Sequence, residues 1–128
     1  MKEILWLSRH RPLPRQYAEL RRLFGEVLVH HDADAFASAE DIKKRFDKGG
    51  YDDIVVVAPL WVIAHLLNLG IKPLYAQMDE VKTAAGAEVT VRRLDGLHYF
   101  RFNRFRRLIE VELKFEELEP ELKPGKED

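Results

Sequence analysis

Apolar positions along this chain follow two rhythms, and the rhythm changes once, after Met78. In the first part, short apolar runs alternate with amphipathic stretches. Ile4, Leu5, Trp6 and Leu7 predict a strand over residues 3–8. Tyr17, Leu20, Leu23 and Phe24 recur at helical spacing behind Pro14, and Gly25 closes that helix. A second strand is predicted over 26–31. Ser38, with Asp41 three residues on, caps a second helix whose apolar face is Ala39, Ile42 and Phe46. Gly49 and Gly50 end it. Residues 53–58 are almost continuously apolar, as in a strand covered on both faces. Pro59 ends that run. A third helix follows over 60–69 with Val62, Ile63, Leu66 and Leu67 as its core face, and then a fourth strand over 72–78. Alternation of strand and helix predicts a parallel, Rossmann-like sheet of about four strands and three helices.

Beyond Met78 the period becomes two. Residues 88–94 and 97–103 flank Asp95-Gly96, a two-residue hairpin signal. Residues 108–115 set Ile109, Val111, Leu113 and Phe115 against Leu108, Glu110, Glu112 and Lys114, which predicts a half-buried antiparallel strand. The expected fold class is therefore α/β: a Rossmann-like parallel sheet with a C-terminal antiparallel hairpin and strand appended to it. One domain over 1–115 and an acidic, frayed tail over 116–128 complete the expected layout.

Charge sharpens this picture. The tail carries six acids against two lysines, a net of −4, so residues 1–115 carry +3 within a total of −1. Arg92, Arg93, Arg101, Arg104, Arg106 and Arg107 fall within 16 residues. Guanidinium groups in such a block suit fork-like contact with phosphate and stacking on flat rings. Cysteine is absent, which excludes disulfides, zinc–thiolate centres and thiol nucleophiles. No apolar run approaches the roughly 20 residues that span a bilayer, and the start lacks a signal-peptide layout, so a cytoplasmic location is expected.

Candidate chemistry concentrates where the first strand ends. Ser8, Arg9, His10 and Arg11 place a hydroxyl, an imidazole and two guanidiniums at a strand's carboxyl end, where open α/β sheets bind ligands. Such a loop suits an anion, most simply a phosphate, and the following helix start adds a favourable dipole. Neither a Gly-x-Gly-x-x-Gly nor a Gly-Lys-Ser/Thr loop is present, so a dinucleotide cofactor and P-loop chemistry are not expected. His30, His31, Asp32 and Asp34 read as a strand end rather than a metal site, because strand neighbours face opposite ways. Trp61, His65 and Asn68 form one stripe on the third helix and suit a subunit contact. The Arg/aromatic block over 99–107 suits single-stranded nucleic acid, or an amphipathic hairpin with phenylalanine inward and arginine outward.

Four segments together resemble the small stand-alone CARF-like proteins (CRISPR-associated Rossmann fold) of type III CRISPR systems, several of which are ring nucleases. They are Leu7-Ser8-Arg9-His10, Val57-Ala58-Pro59-Leu60, Lys72-Pro73-Leu74-Tyr75-Ala76-Gln77 and Phe102-Asn103-Arg104-Phe105-Arg106. The resemblance implies a homodimer with a cyclic oligoadenylate lying across its axis, over the strand carboxyl ends. It implies cleavage of that messenger by a metal-independent attack of a ribose 2′-hydroxyl, with no cofactor, no membrane partner and no stable long nucleic acid. By the same resemblance His10, Arg9 and Arg106 would be catalytic. Ser8, Arg11, Pro59, Leu60, Gln77, Arg104 and Arg107 would line the ligand site. The alternatives are a non-catalytic sponge or sensor of the same messenger and a single-stranded nucleic-acid-binding regulator. A histidine phosphatase would require glycine directly after the histidine, where this chain has Arg11.

Overall fold

The computed structural model describes residues 1–122. Six strands and three helices follow one another as β1 (Lys2–Leu7), α1 (Pro14–Phe24), β2 (Val27–Asp32), α2 (Ala39–Gly49), β3 (Asp53–Val56), α3 (Leu60–Asn68), β4 (Leu74–Val81), β5 (Val89–Arg93) and β6 (Gly96–Arg107). A short 3₁₀ turn, Ala84–Gly86, joins β4 to β5. All strands belong to one sheet, in the order β2-β1-β3-β4-β6-β5. The β2-β1-β3-β4 part is parallel, whereas β6 pairs antiparallel with both β4 and β5. The expected α/β class and three helices are present. The hairpin, however, is not an appendage: it continues the sheet, because β4 is long enough to pair with β3 at its start and with β6 along its whole length.

Side-chain alternation sorts the sheet into two faces. Ile4, Trp6, Val55, Leu74, Phe102 and Phe105 pack with Leu20 of α1 on one face. Leu5, Leu7, Ile54 and Val56 pack with α2 and α3 on the other, through Ala39, Ile42, Val62, Ile63 and Leu66. Local chemistry sets the helix starts. Pro14 opens α1, with the Leu13 amide donating to the buried Gln16 side chain. The Asp41 amide donates to Ser38 Oγ at 3.2 Å, so Ser38 caps α2 as expected, but Asp41 Oδ2 accepts from the Ala37 amide at 3.1 Å rather than from that of Ser38, so the reciprocal half of a capping box is not made. Among the described residues, no helix is long and apolar enough to cross a membrane.

Three details differ from the sequence expectation. The hairpin turn is Leu94-Asp95 rather than Asp95-Gly96: Arg93 pairs with Gly96, and Gly96 alone takes a positive φ, 124°. A primed turn needs positive φ at the first central residue or at both, and neither Leu94 nor Asp95 adopts it. Strand β6 runs on to Arg107, past its expected end, because the register shifts opposite Gln77/Met78 and leaves Asn103 unpaired. This bulge puts Phe102 and Phe105, three residues apart, on the same buried face. Residues 108–115 form no strand. The chain leaves β6 far from β5, which pairs with β6 only over Gly96–Phe100, and the Leu108 amide donates to the Pro73 carbonyl as the chain turns off the sheet. Leu108 and Val111 still touch the α2/α3-side core, while Ile109, Leu113 and Phe115 are 67%, 68% and 84% exposed. The acidic end is exposed and irregular from Glu116 to Leu122; residues 123–128 of the expected tail lie outside the described residues.

Candidate functional site

The Ser8–Arg11 loop begins where β1 runs out, and four hydrogen bonds fix its course. The Ser8 amide donates to the Asp32 carbonyl at 3.3 Å, so the loop starts in register with β2. The His31 Nε2–H donates to the Ser8 carbonyl at 2.8 Å, which sets the tautomer of that ring. Ser8 Oγ accepts from the His10 amide at 3.2 Å, leaving the hydroxyl proton to donate outward. The Trp6 indole donates to the His10 carbonyl at 3.0 Å and holds the turn against the α1 side of the sheet. The result is a shaped main chain carrying three exposed side chains, Arg9, His10 and Arg11. None of the three has an ion-pair partner among the described residues. In the sequence Trp6 reads as one more apolar residue of the strand; its indole N–H is what the loop depends on.

The second expected wall stands beside it. The Val57 amide donates to the Leu7 carbonyl at 3.2 Å, so the end of β3 lies level with the end of β1. Pro59 caps α3, its carbonyl accepting from the Val62 and Ile63 amides. Val57, Leu60 and Trp61 are 64%, 59% and 68% exposed there, an apolar rim around a helix start. His65 and Asn68 follow Trp61 on α3. His65 Nε2 is 3.1 Å from Glu40 of α2, so this member of the expected contact stripe bridges two helices.

The arginine block divides between the two faces of the sheet. Phe105 is buried on the α1 side, and alternation sends Arg107 to that side and Arg104 and Arg106 to the other. Arg107 therefore leaves the expected ligand site. Its guanidinium forks onto Asp53, the first residue of β3, at 2.6 and 2.7 Å, and also reaches the Lys72 carbonyl. That is the amino end of the parallel strands, away from Ser8. Arg106 emerges opposite Tyr75, on the face away from the one the His10 main chain packs against, so the expected catalytic trio of His10, Arg9 and Arg106 is not gathered on one side. Arg104 and Gln77 are brought together as cross-strand partners, with Nε 3.5 Å from Oε1.

On that same face Tyr75, Gln77 and Asp79 of β4 stand beside Arg101, Arg104 and Arg106 of β6, with Tyr99 and Arg92 further out. The aromatic rings interleaved with cations here are tyrosines; Phe102 and Phe105, which gave the sequence pattern, are core. Asp79 is taken up by the side-chain amides of Gln77 and Asn103. Arg92, Arg101, Arg104 and Arg106 have no carboxylate partner among the described residues.

The His30–Asp34 cluster has other work. His30 sits 3.0 Å from Glu3 and packs on the Tyr51 ring, while His31 points to Ser8. Arg45 of α2 draws together Asp32, Asp41 and the carbonyls of Asp34 and Ala35. No three His, Asp or Glu side chains converge as a metal site among the described residues. Compared with known proteins, the chain matches no family model, no curated protein and no solved structure.

Proposed function

We propose that this chain is a Rossmann-like, CARF-type domain that binds a cyclic oligoadenylate across a homodimer and opens the ring. The observation that carries the reading is the exposed Arg9-His10-Arg11 triplet on a hydrogen-bonded loop at the carboxyl end of β1, with no carboxylate to neutralise it among the described residues. A preorganised cationic loop beside a helix start suits phosphate. The apolar rim of Leu60 and Trp61 suits the flat face of a base. In the reaction, a ribose 2′-oxygen attacks the adjacent phosphorus, the bond to the 5′-oxygen breaks, and a 2′,3′-cyclic phosphate and a 5′-hydroxyl result. His10 moves the proton, from the attacking or to the departing oxygen, and Arg9 neutralises the phosphorane charge. Ser8, Arg11, Pro59 and Leu60 shape the pocket. Arg107 has no part in it, and Arg106 lies on the opposite face.

The test is incubation of the purified chain with cyclic tri-, tetra- and hexa-adenylate in EDTA, read by mass spectrometry, with retention on a native gel in parallel. Linear products ending in a cyclic phosphate establish cleavage. Retention without products reduces the reading to a sponge or sensor. The absence of both products and retention with every ring overturns it.

A second reading has its own observation: the uncovered face bearing Tyr75, Tyr99, Arg92, Arg101, Arg104 and Arg106. Such a face grips a short single strand by stacking and phosphate contact. Paired Arg101→Ala and Arg104→Ala substitutions then weaken binding of linear oligo(A) and flatten its salt dependence, whereas Arg9→Ala leaves both unchanged.

A further inference from the structure

The segment 108–115 has the sequence of a strand and no strand partner among the described residues of its own chain. We infer that it docks as an added strand on the free edge of β5 in a second copy of this chain, an inference that does not depend on the ligand proposed above. Four observations meet here. The apolar set Ile109, Leu113 and Phe115 is 67–84% exposed, although its alternation is that of a half-buried strand. Among the described residues the outermost strands of its own sheet are β2 and β5, and the chain leaves β6 between them. An exposed edge is a ready template for pairing with another chain.

Charge chooses between the two edges. The segment and its continuation carry Glu110, Glu112, Glu116 and Glu117 against Lys114. The β5 edge carries Arg92 and Arg93, with Arg101 on the neighbouring strand. The β2 edge ends in Asp32, already held by Arg45, and starts after Glu26. An acidic strand therefore finds cations on β5 and carboxylates on β2. Side-chain alternation completes the match: with Glu112 on the Arg92 side, Leu113 and Phe115, beyond the tethered Val111, fall on the side of Val89 and Val91, which are half-buried.

Tethering Leu108 and Val111 to the core of their own chain fixes where the segment leaves the molecule, so pairing is reciprocal between two copies.

The full-length chain tests this by light scattering across a concentration series. The expected result is a dimer that Leu113→Asp with Phe115→Asp weakens at least tenfold, with an unchanged melting temperature at the monomer's concentration because both side chains are exposed. Arg92→Glu alone weakens it too, and Arg92→Glu combined with Glu112→Arg restores it. Because the chain has no cysteine, mixing Thr90→Cys copies with Glu112→Cys copies gives a disulfide-linked dimer under mild oxidation. A monomer at all concentrations overturns the inference. So does a dimer that ignores these substitutions but responds to Trp61→Asp, which would instead support the homodimer of the ligand reading. A link that forms within one chain carrying both cysteines, but never between copies, also overturns it.

Discussion

Arg107 and Asp53 close the amino end of the parallel strands as a two-pronged ion pair, Nη1 to Oδ1 at 2.6 Å and Nη2 to Oδ2 at 2.7 Å. Asp53 is nearly buried, and Lys2 approaches its second oxygen at 3.4 Å from β1. The pair fastens the last strand of the chain to the centre of its sheet. Burial pushes the Asp53 carboxyl up, but hydrogen bonds from Arg107 and the Ile54 amide, with the charges of Arg107 and Lys2, outweigh it and hold the group below the ordinary aspartate range.

Arg107→Ala should accordingly cost about 1–3 kcal/mol of stability, the usual loss when a charged hydrogen-bond partner is removed from a buried carboxylate. Arg104→Ala, on the exposed face, should stay within about 0.5 kcal/mol. Urea unfolding of both variants checks the contrast; equal losses would return Arg107 to the class of surface arginines.

Because the folded Asp53 carboxyl is depressed, its contribution is complete above the ordinary aspartate value and is lost as pH falls through the lowered one. Wild-type stability should decline on acidification below about pH 4. Asp53→Asn should be less stable at neutral pH and show a shallower acid decline, measured as melting temperature against pH.

His98 sits between Asp95 at 2.8 Å and Glu80 at 2.9 Å and clasps the tip of the β5–β6 hairpin to β4. Hydrogen bonds first to Asp95 and then to Glu80 raise its pKa above the ordinary 6.5, and the bond to His98 lowers that of Asp95. The imidazolium contribution is full below that ordinary value and is lost as pH rises through the raised one. The Asp95 contribution is lost only as pH falls through its lowered value. Protection of the Val91 and Tyr99 amides, taken relative to the intrinsic base-catalysed exchange rate, should therefore be greatest in mildly acidic solution and fall above neutrality, and His98→Gln should remove that pH dependence of protection.

Deleting Asn103 removes the extra residue of the β6 bulge and makes Phe102 and Phe105 next-but-one neighbours, which regular alternation keeps on the same buried face. The deletion should therefore cost far less than the about 3–5 kcal/mol of losing a buried phenylalanine, the loss expected of Phe105→Ala. Thermal unfolding of the two variants checks the contrast; a loss on the phenylalanine scale from the deletion would show that the fold needs the bulge itself.

His10→Ala should abolish ring opening while leaving retention of a cyclic oligoadenylate within a few-fold, because the imidazole moves a proton and the guanidiniums hold phosphate. Arg9→Ala with Arg11→Ala should weaken retention itself and reduce its salt dependence. Retention and turnover measured side by side decide it; unchanged turnover in His10→Ala would remove that residue from the mechanism.

The sequence by itself determined what depends on neighbours in the chain. Pro14, Ser38 with Asp41, and Pro59 start the helices, and their effect is local. The apolar runs of β1 and β3 announce strands covered on both faces, because burial on both sides leaves no room for polar alternation. The end of β1 at Ser8, and with it the exposed Arg9-His10-Arg11 loop, was legible for the same reason. Tertiary structure decided everything that depends on which side of the sheet a residue leaves. Alternation assigns faces only while register is unbroken, and the unpaired Asn103 resets it, sending Arg107 to Asp53 and Arg104 and Arg106 to the opposite face. It also decided that 108–115, a strand by pattern, stays unpaired: the Leu108 amide donates to the Pro73 carbonyl, and Leu108 and Val111 turn onto the α2/α3-side core instead of along an edge.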